Sequence, residues 1–364
     1  MAETEVLVGT RKGLFVLRGD RGGPLEIARR CFENDPVEYA CYDARSGTYL
    51  AAVRHWPEEI ARQFPGSKFG PHLYMTDDVG GEWQDVGGPA FPEDAGEKVT
   101  SIWVIQLGAE DNVLWAGVQP AALFRSEDGG HSWTLNRALW EDPTRPQWQP
   151  GGAGLCLHSI CPHPGDPSRL SLAISAAGVW NSDDGGASWH RATKGLPRWP
   201  EDAEDSAAIQ CVHNMHRAPA QPETLYMQFH GGVFRSDDAG ETWESIADGL
   251  PSDFGLPMVV DPNDPDRVFV IPLTSMMDRV TPGKVQVYET GDRGAGWRPL
   301  TKGLPQKDSY LTILRQAFGS DRSHPLGLFF GATSGDVFGS ADGGESWYAA
   351  AAHLPPVLSV RVGR

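Results

Sequence analysis

No run of 18 apolar residues occurs in this 364-residue chain, so no membrane-spanning helix is expected. Positive charge is scarce: 31 Lys and Arg face 48 Asp and Glu, a formal net charge of −17. A chain so acidic is a poor holder of nucleic acid or of an anionic membrane. The start, MAETEVLVGT, has neither a basic segment nor an apolar core, so no secretory signal is read and a cytoplasmic location is expected. There are only five cysteines, an odd count, and a chain this long needs no disulfide. Free thiols are therefore expected. A P-loop, a dinucleotide fingerprint and a G-x-S-x-G elbow are all missing; PGGAGL at 150–155 lacks the strand–helix context such motifs need.

Glycine (43), proline (29) and tryptophan (13) are plentiful, which predicts many short strands joined by tight turns. An eight-residue phrase recurs. It reads TDDVGGEW at 76–83, SEDGGHSW at 126–133, SDDGGASW at 182–189, SDDAGETW at 236–243, TGDRGAGW at 290–297 and SADGGESW at 340–347. Its third-position aspartates, Asp78, Asp128, Asp184, Asp238, Asp292 and Asp342, are spaced by 50, 56, 54, 54 and 50 residues. A worn seventh copy, RGDRGGPL at 18–25, keeps Asp20 and Gly22 but lacks the tryptophan. A period near 50 with strands between the copies is the signature of propeller blades. In each copy Ser or Thr and Asp cap a turn, glycine supplies positive φ, and tryptophan packs across the hairpin onto the next sheet.

The expectation is an all-β chain, residues 1–364 forming a single seven-bladed β-propeller of four-stranded antiparallel blades. EVLVGT and GLFVL at the start take the places of second and third strands. PVLSVRV at 356–362 supplies the missing innermost strand, closing the ring and protecting its edges. A closed ring needs no partner, so a monomer fits, with the oligomeric state open.

The phrase S-x-D-x-G-x-x-W resembles the Asp-box, or BNR repeat. This repeat occurs in sialidases, other glycoside hydrolases, sortilin-type receptors and photosystem II assembly propellers, and the likeness to that sialidase-like superfamily runs along the whole chain. The resemblance implies that the Asp-box turns occupy one face of the disc and the site the other. It also implies an arginine cluster that binds a substrate carboxylate. The chain departs from true sialidases: the first-blade Arg-Ile-Pro phrase is absent, no Tyr–Glu nucleophile pair can be located, and the blades number seven rather than six.

Aligning the copies places Arg11, His55, Gln119, Ser175, His230 and Thr333 at the corners between second and third strands. Glu38, Trp103, His158, His213 and Arg315 fall at the starts of innermost strands. His158, His213 and His230, with His55 reaching in, could ligate one divalent metal such as zinc; alternatively each bonds a backbone group, or His213 and His230 move protons. Arg11, Lys12, Arg279 and Arg315, with Trp103 and Gln119, are candidate binders of a small anionic or carbohydrate-like substrate. Asp253 and Asp278 are the candidate carboxylate pair for glycoside hydrolysis, with Glu38 and the run 201–205 as further acids. Excursions at 55–74 and 138–154 are expected to bring Trp56, Phe64, Phe69, Trp140 and Trp148 to the mouth. Cys156 and Cys211 read as core residues. The functional expectation is a hydrolase, metal-assisted or a metal-free carboxylate-pair glycosidase, against a non-catalytic binding or assembly propeller.

Overall fold

The computed structural model describes residues 3–64, 66–198 and 210–363. They form seven four-stranded antiparallel sheets. The innermost strands are Val357–Val362, Val37–Asp43, Ser101–Leu107, Leu157–His163, Val212–Arg217, Gly255–Val260 and Phe318–Ser320. Each touches the next, and Phe318–Ser320 touches Val357–Val362, so the sheets close into a ring. In the first blade Val357–Val362 pairs with Glu3–Thr10, Val8 lying opposite Val360, and Glu3–Thr10 pairs in turn with Gly13–Asp20. Chain ends therefore meet in one sheet, and that sheet has no exposed inner edge. Helix is confined to single turns such as Glu58–Ala61 and Arg137–Trp140, and none among the described residues is long and apolar enough to cross a membrane.

The strands are rich in Val, Ile, Leu and Phe, and the inner ones are buried on both faces because each sheet is covered by its neighbours. Apolar clusters accordingly span blades: Val6, Phe269 and Phe329 share one, and Leu73, Phe124 and Trp180 another. The blades approach closely enough to exclude a Cβ. One built on Gly9 would stand 2.5 Å from the Val37 carbonyl oxygen of the next blade, and one on Gly117 would stand 2.4 Å from that of Leu157.

The repeated phrase forms the outer hairpin turn of each blade. The Ser126 hydroxyl donates to Asp128 Oδ1 at 2.8 Å and accepts from the Gly130 N–H at 2.8 Å. Asp128 in turn accepts from the backbone N–H and hydroxyl of Ser132. Asp184, Asp238 and Asp342 repeat this pattern with Ser188, Thr242 and Ser346. Three of the tryptophans bond backwards, to the preceding blade: Trp189 Nε1 donates to Asn136 Oδ1, Trp243 Nε1 to the Ala192 carbonyl and Trp297 Nε1 to that of Ile246, whereas Trp133 Nε1 donates to Gly130 in its own turn. In those three blades a turn and an inter-blade strut are thus one unit.

Because strands alternate in direction, these turns lie at one end of the blades. Innermost strand starts and second-to-third-strand corners lie at the other. The channel between the ends is not open. Asn214 Nδ2 donates to the Arg315 carbonyl, and Gln316 Nε2 to that of His158. These bonds join blades that are not neighbours, so they cross the axis and floor the channel.

Ser126 is 1% exposed and serves two bonds. Replacing it with alanine strands the Gly130 N–H and should cost about 1–3 kcal/mol in urea unfolding. Acid should weaken the turns together. The Ser188 hydroxyl and N–H hold the Asp184 carboxyl down at about 2, from 3.8, and bonds from Thr290 and Gly296 lower Asp292. A depressed carboxylate stabilises above its unfolded pKa and ceases to as pH falls through the folded one. The urea midpoint should therefore fall between pH about 4 and about 2; a midpoint flat across that window would show that the turns carry no such linkage.

Candidate functional site

At the mouth, the floored channel opens into a cavity of about 1190 Å³. Of the residues singled out by sequence, Arg11, Trp103, Gln119, His213, His230, Asp253, Arg279 and Arg315 line it, as does Glu38. The strand alternation explains the gathering: these corners and strand starts come from six blades and converge on one rim.

Among the described residues, five arginines, Arg11, Arg54, Arg198, Arg279 and Arg315, share the wall with two carboxylates, Glu38 and Asp253. In a chain of net charge −17 this is a local inversion of sign. Arg54 pairs with Glu38 at 3.2 Å. Arg11, Arg279 and Arg315 have no carboxylate within ion-pair distance among the described residues. Arg315 is the costliest of these, at only 8% exposed. Its guanidinium lies 5.1 Å over the Trp103 ring and donates a weak bond to Cys156 Sγ at 3.7 Å. A buried cation without a counter-charge is expensive, and a bound anion would relieve it. Arg279 sits at φ +53°, an uncommon conformation for a side chain of this size, and rests against Gly152. Arg315 precedes the strand it was expected to begin, since Phe318–Ser320 starts three residues later.

The two lining carboxylates differ. Glu38 accepts from the Ser101 hydroxyl at 2.5 Å, and burial raises its pKa despite the pull of Arg54 and Ser101. Asp253 is exposed to the cavity, and no side-chain bond among the described residues engages it; the turn there is capped by Ser252, which accepts from the Phe254 N–H. Asp278 stays outside, exposed on the 273–281 loop, so the acid that shares the cavity with Asp253 is Glu38. Lys12 likewise lies outside the lining, its N–H bonded to Thr10 in the turn. The run 201–205 lies outside the described residues.

The histidines separate. His55 is held by Asp35 at 3.0 Å and the Tyr74 hydroxyl at 2.8 Å, next to His72 and away from the axis. His158 is fully buried with both ring nitrogens engaged, by Ser159 and the Val212 carbonyl; it has no lone pair left for a metal. His213 and His230 stay together in the cavity wall, ring centroids 5.4 Å apart. Desolvation and the nearby Arg315 push His213 down to about 3, so it is neutral at physiological pH. Cys211, read from sequence as a core residue, joins them: its sulfur and one nitrogen of each ring lie within 4.8 Å of one another. The signal for it is the close spacing Cys211-x-His213 where the Val212–Arg217 strand begins.

The expected aromatic mouth does not form. Trp56, Phe64 and Phe69 are 44–49% exposed on the 55–70 excursion, Trp148 packs on Trp180, and Trp140 packs on Phe91. None lines the cavity; the second excursion contributes residues 149–153 instead.

No protein-family model matches the chain. The oligoxyloglucan-reducing end-specific xyloglucanase of Emericella nidulans is 24% identical over 220 residues, covering 52% of this chain and 26% of that protein. The GH74 enzyme of Niastella koreensis superposes with a TM-score of 0.57 at 17% identity, over 94% of this chain and 46% of that one. The GH74 xyloglucanase of Xanthomonas campestris gives 0.57 at 12% identity, over 98% and 53%. The chain thus spans about half the length of these structures and about a quarter of the xyloglucanase. The likeness establishes a shared propeller fold.

Arg315→Met removes a buried cation that no carboxylate among the described residues neutralises, so the ligand-free variant should be at least as stable as the wild type in urea unfolding. Added sulfate should raise the melting temperature of the wild type and leave the variant unmoved. A variant less stable than wild type, and still protected by sulfate, would take Arg315 out of any anion site.

Proposed function

We propose that this protein is a glycoside-cleaving hydrolase acting on a small anionic sugar held in the cavity. The observation that carries the reading is the set of three arginines, one of them buried, with no acid partner among the described residues and facing the same space as a partly buried carboxyl of raised pKa. The arginines would hold a carboxylate or phosphate of the substrate through paired N–H donors. Gln119 and the open face of Trp103 would meet its hydroxyls and ring. Glu38, whose pKa is raised by burial, would in its protonated form give a proton to the departing glycosidic oxygen. Asp253, as the carboxylate, would take a proton from the attacking water or attack the anomeric carbon itself. The glycoside hydrolases among the structural neighbours support the reaction class by analogy, and the sign of the cavity supports the anionic substrate.

The binding-module alternative rests on a different surface, the exposed Trp56, Phe64 and Phe69. A concave, sign-inverted cavity answers the requirements of a small ligand better than those of a flat docking face.

A panel of aryl glycosides of uronic acids and of neutral sugars tests the proposal. Turnover should favour the acidic sugars, and Glu38→Gln should lower kcat by roughly 10²–10⁴. Because Glu38 must be protonated and its pKa is raised, the wild-type rate should fall on the alkaline side as pH passes that pKa. A preference for neutral glycosides, or a Glu38→Gln protein with unchanged kcat, would overturn the assignment.

A further inference from the structure

The blade whose innermost strand is Val212–Arg217 carries a cluster that the hydrolytic reading does not use. We propose that Cys211, His213 and His230 bind one divalent transition-metal ion of the zinc type in the cavity wall. Cys211 and His213 lie two residues apart at the entry to that strand. His230 follows the neighbouring Leu225–Phe229 strand, and its backbone N–H donates to the Cys211 carbonyl at 3.1 Å, which fixes the two opposite each other.

The hydrogen bonds leave the ligand atoms available. His213 Nδ1 donates to the Gly255 carbonyl at 2.7 Å. That bond sets the tautomer and leaves Nε2 with a lone pair, the arrangement in which imidazoles ligate metals. His213 is 4% exposed, and its Nε2 has no partner among the described residues. Neither ring nitrogen of His230 is hydrogen-bonded among the described residues. Among the described residues, Cys211 Sγ has only a long contact, 3.7 Å, with Ser175 Oγ.

The donor set is chemically coherent. One thiolate and two neutral imidazoles suit a borderline metal, and three protein ligands leave a fourth position open. Zinc bonds of about 2.3 Å to sulfur and about 2.0–2.1 Å to nitrogen place tetrahedral ligand atoms roughly 3.3–3.6 Å apart. The present spread of up to 4.8 Å therefore needs a contraction of about 1 Å, which rotation of the untethered His230 ring can provide. The thiolate offsets one of the metal's charges beside Arg279 and Arg315. With the metal bound, the cavity would hold an anionic group between a Lewis acid and the guanidinium groups.

The preceding blade supplies an internal comparison. Cys156-x-His158 repeats the Cys-x-His spacing, but both nitrogens of His158 are engaged, and Ser175 stands at the corner that matches His230. The same phrase is closed in one blade and open in the next.

The proposal is independent of the hydrolytic reading, and its test does not use activity. Tag-free, chelator-treated protein is titrated with Co²⁺, and bound metal is counted by mass spectrometry while the absorption spectrum is recorded. One Co²⁺ per chain is expected, with a thiolate-to-cobalt charge-transfer band and the visible bands of a four-coordinate ion. Cys211→Ser should abolish the charge-transfer band, and His230→Ala should weaken Zn²⁺ competition by more than the roughly 10–100-fold that loss of an outer-shell partner costs. Cys156→Ser should bind as wild type. Failure to retain near-stoichiometric metal, or a charge-transfer band that survives in Cys211→Ser, overturns the site; circular dichroism confirms that each variant is folded.

Discussion

The Val357–Val362 strand lies against Glu3–Thr10, and every other feature of the molecule depends on that pairing. The first of the seven sheets is completed only by a strand that follows the last, and the last sheet packs on that strand. Here the lock is a backbone ladder between strands from opposite ends of the sequence. It sets the circumference, and the circumference sets how far corners from different blades stand apart across the mouth. The close backbone approaches at Gly9 and Gly117 leave the ring little slack.

Within that frame the two ends of the blades have different tasks. In the outer turns serine or threonine, aspartate and glycine bond one another, and Trp189, Trp243 and Trp297 brace the blade behind. At the mouth, among the described residues, polar groups are left unsatisfied by their own chain. Arg11, Arg279 and Arg315 have no acid partners, Asp253 has no side-chain bond, and His213 shows a bare nitrogen. The floor formed by Asn214 and Gln316 turns a channel into a cup, so these groups face a bounded volume. Stability resides at one end and binding capacity at the other.

The fold is legible in the sequence because the repeated phrase is local. A turn that caps itself must be encoded in consecutive residues, so its period survives in the sequence. Most of the rim is legible for the same reason, since counting from each turn finds the corners Arg11, Gln119 and His230. What is not legible is where a side chain goes after its strand is placed. His158 and His213 hold matching positions, yet one ring is buried against the next blade and the other faces the cavity. Closeness in sequence pairs Asp253 with Asp278, whereas the acid that lines the same cavity, Glu38, comes from a blade that is not its neighbour. Cys211 reads as packing because a small apolar residue and a ligand look alike until a neighbouring imidazole is located. The loop aromatics miss the mouth because an insertion's length says nothing about its direction.

Closing the ring with strands from both ends also orders the events of synthesis. Glu3–Thr10 and Gly13–Asp20 leave the ribosome long before their innermost partner, Val357–Val362. Until then the first blade has an unpaired inner edge, and each later blade stacks on a ring that is still open. Such an edge invites pairing with another chain. The cup therefore takes its final shape only after that strand arrives, and the nascent ring is most exposed to misassembly just before it closes.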